Sequence, residues 1–90
     1  MKAIWKYPVP VQDEFTVEMP SGAEVLSVQV QETQVCMWVL VDPNDVDDAK
    51  VKRIFRIYGT GHPIPENISR EQFIGTWQHP GLVFHLFEEL

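Results

Sequence analysis

The hydrophobic pattern of residues 25–41 predicts the central pair of strands in this chain. Two apolar runs, VLSVQV and VCMWVLV, flank the polar break Gln31–Gln34. This pattern is typical of two antiparallel strands joined by a short loop. Because Glu32 and Thr33 lack the Gly or Asn that a two-residue turn favours, we expect the loop to be longer than two residues.

The two strands of this pair differ in the number of their apolar faces. Leu26, Val28 and Val30 alternate with polar residues, which predicts one buried and one solvent-exposed face for the first strand. The second strand is apolar on both faces, with Val35, Met37, Val39 and Val41 on one and Cys36, Trp38 and Leu40 on the other. Such a strand is either covered on both sides or offers its second face to a partner or another subunit.

The same period-two alternation recurs at residues 2–9, 14–19, 73–77 and 82–87, and residues 51–58 form a further strand of mixed pattern. It places Phe73, Gly75 and Trp77 on one face of their strand. A helical signal is confined to residues 69–72, which have the spacing of a capping box. We therefore predict an all-β fold of about seven short, mainly antiparallel strands in a small barrel or sandwich, with at most one short helical turn near residues 69–72.

Length and charge narrow the classes of protein that this chain can be. Ninety residues form one domain, residues 1–90, and the small size together with the two-faced apolar strand indicates a homo-oligomer. The net charge is −6, which argues against duplex nucleic acid as a ligand and suits a basic protein surface. The basic residues Lys52, Arg53 and Arg56 indicate an exposed side of the fifth predicted strand.

The first residues and the single cysteine predict where the protein works. The segment MKAIWKYPVP lacks the apolar stretch and cleavage site of a secretory signal. No run approaches the ~20 apolar residues that span a bilayer, so we expect no membrane association. Cys36 has no second cysteine to pair with and lies among apolar neighbours, as a reduced buried thiol does. We predict a cytoplasmic protein.

Six short stretches of the sequence are informative when they are taken together. IWKYP, EMPSGAEVLSVQVQ, CMWVLVDP, GTGHP, FIGTWQ and LVFHLFE follow one another along nearly the whole chain. In that order they resemble a family of small uncharacterised proteins found in bacteriophages, prophages and bacterial genomes. The resemblance implies a stand-alone domain in the bacterial cytoplasm, that of the host if the protein is phage-encoded. It implies no activity and no catalytic residue.

The segment Gly59-Thr60-Gly61-His62 is the candidate ligand site. Two glycines around a small hydroxyl residue allow backbone N–H groups to approach a ligand, as in loops that bind phosphate. The following Pro63-Ile64-Pro65 excludes the helix that a dinucleotide fingerprint requires, so we favour a turn that His62 caps. The alternative is a nucleotide-like ligand, with Arg56 and Arg70 supplying positive charge and Trp77 a stacking ring.

The sequence contains no complete pattern of a metal site or a catalytic site. The acidic stretch Asp42–Asp48 lacks the Gly and Glu of a calcium loop, and the histidines and Cys36 lack zinc spacing. No catalytic signature surrounds Cys36 and its neighbours are apolar, which disfavours it as a nucleophile. We therefore expect no metal, no cofactor and no enzyme. The hypothesis is a non-enzymatic module that binds a host or phage protein, and the alternative is an oligomeric binder of a small nucleotide-like ligand.

Overall fold

The computed structural model describes residues 1–45 and 50–90, and residues 46–49 of the predicted acidic loop lie outside the described part. The described residues form seven strands and two 3₁₀ turns, at Pro43–Asp45 and Glu66–Arg70. The second turn ends where strand β6 begins, so the predicted capping box at Ser69 is wrong, and no side chain caps this turn. The strands are β1 Ala3–Pro8, β2 Glu14–Pro20, β3 Glu24–Gln31, β4 Gln34–Val41, β5 Lys50–Gly59, β6 Glu71–His79 and β7 Leu82–Glu89.

The strands form two antiparallel sheets, which confirms the predicted all-β fold. The first sheet has the strand order β1-β4-β3 and the second has the order β2-β5-β7-β6. The described strands do not close into a barrel. One cluster of buried side chains, contributed by both sheets, forms the core.

Strand β4 is the centre of the first sheet, as the pattern of residues 25–41 predicts. Val35, Met37, Val39 and Val41 are at most 3% exposed and face the core. On the opposite face Cys36 is buried, whereas Trp38 and Leu40 are partly exposed. The inner face is thus fully used for packing, and the outer one is only partly covered.

The β3–β4 hairpin has a tighter turn than the sequence predicts. Gln31 pairs with Gln34, so the loop consists of Glu32 and Thr33 alone. Glu32 adopts φ 57°, in the left-handed region that residues other than Gly and Asn rarely occupy. The expectation of a longer loop is wrong because β3 stays paired with the largely buried β4 as far as Gln31 and Gln34, and this register forces Glu32 into the turn conformation.

Two β-bulges move side chains to faces that the alternation does not predict. The pairing shifts between Val25 and Ser27, so Leu26 is the extra residue and is 42% exposed. A second shift lies between Phe73 and Gly75, and Phe73 is 54% exposed, paired with Phe87. Val25 rather than Leu26 therefore packs on the core, and Phe73 lies on the face opposite Gly75 and Trp77.

The two sheets approach each other most closely where β3 passes β6. A Cβ atom added to Gly75 would lie 2.8 Å from Cγ1 of Val28 and within 4 Å of the Val28 backbone. Val28 is 4% exposed and belongs to the core. The absence of a side chain at Gly75 therefore sets how near the sheets can come.

A partly buried ion pair adds a second link between the sheets. The Arg53 guanidinium donates to both carboxylate oxygens of Glu88, one of them at 2.8 Å, and also to the backbone oxygen of Ala23. Glu88 is 7% exposed. Ala23 immediately precedes β3, so this contact connects the second sheet to the first. The expectation that Arg53 lies on an exposed side is therefore wrong.

We expect Gly75→Ala to lower the free energy of unfolding by about 1–3 kcal/mol, because the new methyl group overpacks the contact with Val28. Val28 is β-branched and has little rotamer freedom with which to yield. The double variant Gly75→Ala/Val28→Ala should lose about 1 kcal/mol less unfolding free energy than the sum of the losses in the two single variants. Urea unfolding of the four proteins in the cycle measures this coupling. Strict additivity would show that the contact does not limit the packing.

We expect Glu32→Gly to raise the free energy of unfolding by about 1 kcal/mol, because glycine adopts a positive φ without steric cost. Thr33→Gly is the matched control. The φ of Thr33 is not positive, so glycine there adds only unfolded-state entropy and should destabilise by about 0.5–1 kcal/mol. Urea unfolding of both variants tests the turn geometry. Equal effects of the two substitutions would contradict it.

Candidate functional site

A surface cleft opens at one end of the second sheet, where β5 extends beyond its partner β2. The pairing of β2 with β5 begins at Glu14 and Arg56, and β5 continues to Gly59. The cleft has a volume of about 560 Å³. Its walls are residues 11–14, residues 56–59, His62, Pro63, Pro65 and Phe84.

The loop after β5 forms one wall of this cleft. The N–H of His62 donates to the backbone oxygen of Gly59 at 3.1 Å, which closes a turn with Gly61 at φ 85°. The imidazole of His62 lies directly over Gly59, where an added Cβ would come within 2.7 Å of Nδ1. Gly61 is therefore required by the turn, whereas a side chain at Gly59 would displace the exposed His62 ring. The segment lines the cleft as well.

The structure brings together three of the seven candidate ligand residues. Arg56, Gly59 and His62 line the cleft. The hydroxyl of Thr60 is hydrogen-bonded at 2.7 Å to Nε2 of His85, and Gly61 lies in the turn. Neither of these two contributes to the lining.

The other two candidates lie elsewhere. Arg70 ends the second 3₁₀ turn and is exposed outside the cleft. Trp77 is 4% exposed in the core, where its ring packs on Phe84 with the centroids 5.6 Å apart. Its Nε1 has no hydrogen-bond partner among the described residues. In this conformation Trp77 offers no stacking surface to a ligand.

The cleft also contains residues that sequence reasoning did not select. Asp13, Glu14 and Tyr58 belong to its lining. Period-two spacing could have grouped Tyr58 with Arg56, since both point to the same face of β5. The nearness of Asp13 and Glu14 depends on the register of β2 against β5, which has no local signal in the sequence.

Arg56 is surrounded by carboxylates on the outer face of the second sheet. Its guanidinium lies 2.9 Å from Glu14, 3.1 Å from Glu89 and 3.7 Å from Glu71. Burial opposes the charged form. The hydrogen bond to Glu89 and the charges of Glu14, Glu89 and Glu71 nevertheless raise the pKa of Arg56 above its ordinary value. This side chain links β2, β7 and β6 to β5.

Tyr58 extends the same network. Its hydroxyl donates to the Glu71 carboxylate, with oxygen–oxygen distances of 2.8 and 3.2 Å. Burial and this hydrogen bond raise the pKa of Tyr58 to about 12. The Glu71 side chain is only 4% exposed. The phenol thus supplies a hydrogen bond to a carboxylate that is almost removed from water.

The polar groups around the cleft bond mainly to one another. Both ring nitrogens of His85 are held by hydroxyl groups, those of Thr60 and Thr76, at 2.7 and 2.8 Å. No carboxylate is among these two partners, so the arrangement differs from a catalytic triad. Within residues 1–45 and 50–90, no group of three or more His, Cys, Asp or Glu residues is placed to hold a metal ion.

Two antiparallel sheets around one core, with a cleft at the end of β5, define a small all-β domain. The chain belongs to the family described as domain of unknown function DUF7352, which matches residues 1–90. No curated protein and no solved structure matches the chain. In the part of the chain that the structure describes, no helix has the length and apolar character needed to cross a membrane.

We expect stability to fall between about pH 10 and about pH 12 as Tyr58 ionises. Its folded-state pKa of about 12 lies above the ordinary value of 10.0, so the folded state holds the proton more tightly. This contribution is complete below the unfolded-state pKa and is lost as pH rises through the folded-state value. Tyrosinate absorbance and urea unfolding across this range measure both effects.

The variants Tyr58→Phe and Tyr7→Phe separate the two tyrosines. Burial also raises the pKa of Tyr7, but within the described residues the Tyr7 hydroxyl forms no hydrogen bond with a carboxylate. Tyr58→Phe should remove the later of the two titration steps and reduce the alkaline loss of stability, whereas Tyr7→Phe should leave that step in place. A phenol titrating near its ordinary pKa in Tyr7→Phe would contradict the Tyr58–Glu71 hydrogen bond.

Proposed function

We propose that this protein is a non-enzymatic binding module of phage or bacterial origin that engages a host or phage protein in the bacterial cytoplasm. The observation that carries the proposal is the apolar outer face of the β1-β4-β3 sheet. We call the side chains of Ile4, Leu26, Trp38 and Leu40 the open face. The resemblance of the chain to phage and prophage proteins supports the origin.

The open face is an apolar patch on the side of the sheet that points away from the core. Ile4 pairs with Leu40 across β1 and β4, and Trp38 is the next outward residue along β4. Ile4 is 60% exposed and Leu26 is 42% exposed, while Trp38 and Leu40 are partly exposed. Adjacent apolar side chains on an accessible surface are typical of an interaction site.

Hydrogen bonds hold part of this surface in place before any partner binds. Nε1 of Trp38 donates to the side-chain oxygen of Gln29 at 3.1 Å. The ammonium group of Lys6 donates to the side-chain oxygen of Gln31 at 2.7 Å. A tryptophan with a fixed orientation loses little conformational entropy on binding, and tryptophan is the residue type most enriched among interface hot spots.

The charge of the protein favours a basic partner. The net charge is −6, which attracts a positively charged surface and speeds its association. Lys6 borders the open face itself, so the attraction arises from the rest of the surface. The apolar patch would then supply the short-range contacts and the acidic surface the long-range steering.

A second candidate function is the binding of a small ligand in the cleft. Its volume of about 560 Å³ lies within the ordinary range of ligand sites. Arg56, Gly59 and His62, proposed from the sequence as ligand residues, lie together in its lining. A metabolite released from the purified protein on denaturation, and identified by mass spectrometry, would support this function over the first.

The open face is tested by comparing Ile4→Lys with Leu82→Lys. Both residues are apolar and similarly exposed, at 60% and 57%, but Leu82 lies on the second sheet. Proteins crosslinked to the wild type in bacterial lysate are identified by mass spectrometry, and the affinity for the purified partner is then measured by calorimetry. Ile4→Lys should weaken it by about tenfold or more and Leu82→Lys by less than about twofold.

Three results would count against the proposal. The first is equal weakening by the two substitutions, and the second is the absence of any saturable protein partner. The third is a partner that is a second copy of this chain, which sedimentation over a range of concentrations detects. That last result would assign the open face to self-association.

A further inference from the structure

We infer that the cleft at the end of β5 binds a lysine or arginine side chain of an extended peptide segment. This inference rests on the proposed function, because it gives the chemistry of a second contact with the protein partner. It differs from the nucleotide-like ligand that the sequence suggests as an alternative. Four features of the cleft lead to it: its charge, the engagement of its one cation, its apolar walls and a backbone donor.

Negative charge dominates the cleft and its surroundings. Asp13 and Glu14 belong to the lining, and the carboxylates of Glu71 and Glu89 contact the same Arg56 guanidinium that Glu14 contacts. Four carboxylates to one guanidinium leave an excess of negative charge. Low-dielectric walls strengthen the field of such a group, so the cleft attracts cations and repels phosphate.

The one cation in the lining is already engaged. Arg56 is the only lysine or arginine among the residues that line the cleft. Its guanidinium forms ion pairs with the carboxylates of Glu14, Glu89 and Glu71, at 2.9, 3.1 and 3.7 Å. To bind a phosphate, Arg56 would have to leave these partners while their charges remained nearby. Arg70, the other proposed contact for a phosphate, lies outside the lining.

The rest of the lining suits the aliphatic part of a long basic side chain. Val11, Pro63, Pro65 and Phe84 are apolar, and Val11 is 54% exposed. Lysine and arginine bury their methylene stems against such surfaces and keep the charged end near carboxylates or water. A compact hydrated cation would not use these walls. The combination therefore selects a basic side chain over a metal ion.

A backbone donor is available for the main chain of the guest. In an antiparallel ladder, alternate residues direct their N–H groups to the same edge of the strand. The N–H of Ile57 donates to the backbone oxygen of Asp13 at 3.0 Å, so the N–H of Gly59 faces the same edge. The register with β2 ends at Arg56, and Gly59 lines the cleft. A peptide carbonyl could accept from this N–H group.

The test uses the full chain, labelled with ¹⁵N, and three probes added separately. The probes are Nα-acetyl-lysine methylamide, its uncharged norleucine analogue and ATP. The lysine probe should shift the amide signals of residues 11–14 and 57–62 in a saturable way. Its affinity should exceed that of norleucine by about fivefold or more, and should fall as the salt concentration rises over about 50–300 mM. ATP should leave these signals unchanged.

The variants Asp13→Asn and Glu18→Gln provide the matched comparison. Each removes one negative charge from an exposed residue at or next to β2, but Glu18 lies outside the cleft. Asp13→Asn should weaken binding of the lysine probe by about threefold or more, and Glu18→Gln by less than about 1.5-fold. Asp13 forms none of the described ion pairs, so its substitution should leave the fold intact, which the remaining amide signals verify.

Three results would overturn the inference. These are saturable binding of ATP at the same signals, shifts spread over the whole acidic surface, and equal weakening by the two variants. If the lysine titration fails while binding of the protein partner depends on Ile4, the cleft contact is ruled out and the proposed binding module stands. If the Ile4 experiment fails while the lysine titration is positive, the open face is ruled out and the cleft site stands.

Discussion

The packing of Val28 against Gly75 is the constraint on which the rest of this structure depends. The two sheets are small, and neither could bury its apolar face alone. They share one core because β3 and β6 pass each other with no side chain at Gly75 to hold them apart. The Arg53–Glu88 pair and its hydrogen bond to Ala23 fix the same approach at another point.

This close approach also determines which surfaces remain accessible. Each sheet turns one face to the core, so the outer face of β4 is left with Trp38 and Leu40 only partly covered. On the second sheet, β5 extends past the beginning of β2, and this end, which is paired with β7 but not with β2, lines the cleft. The open face and the cleft are therefore separate consequences of one arrangement of strands, and one partner could contact both or either.

The electrostatics of the second sheet separate structural from binding roles. Arg56 carries the positive charge that a phosphate ligand would require, but it joins carboxylates of β2, β6 and β7 to β5. Tyr58 completes the network by donating to the nearly buried Glu71. Arg56 and Tyr58 stabilise the sheet, and the excess of carboxylates around Arg56 gives the cleft its negative charge. Arg56, selected from the sequence as a ligand contact, thus owes its position to ion pairs within the sheet.

The sequence by itself determined the number and kind of strands and the central place of β4, because period-two spacing and turn residues are local signals. Only the tertiary structure decided the tight turn at Glu32, the bulges at Leu26 and Ile74, the burial of Trp77 and the ion pair of Arg53 with Glu88. Each of these depends on which strands pair, and in what register. Strand pairing is settled by contacts between residues far apart in the chain, which no local pattern records.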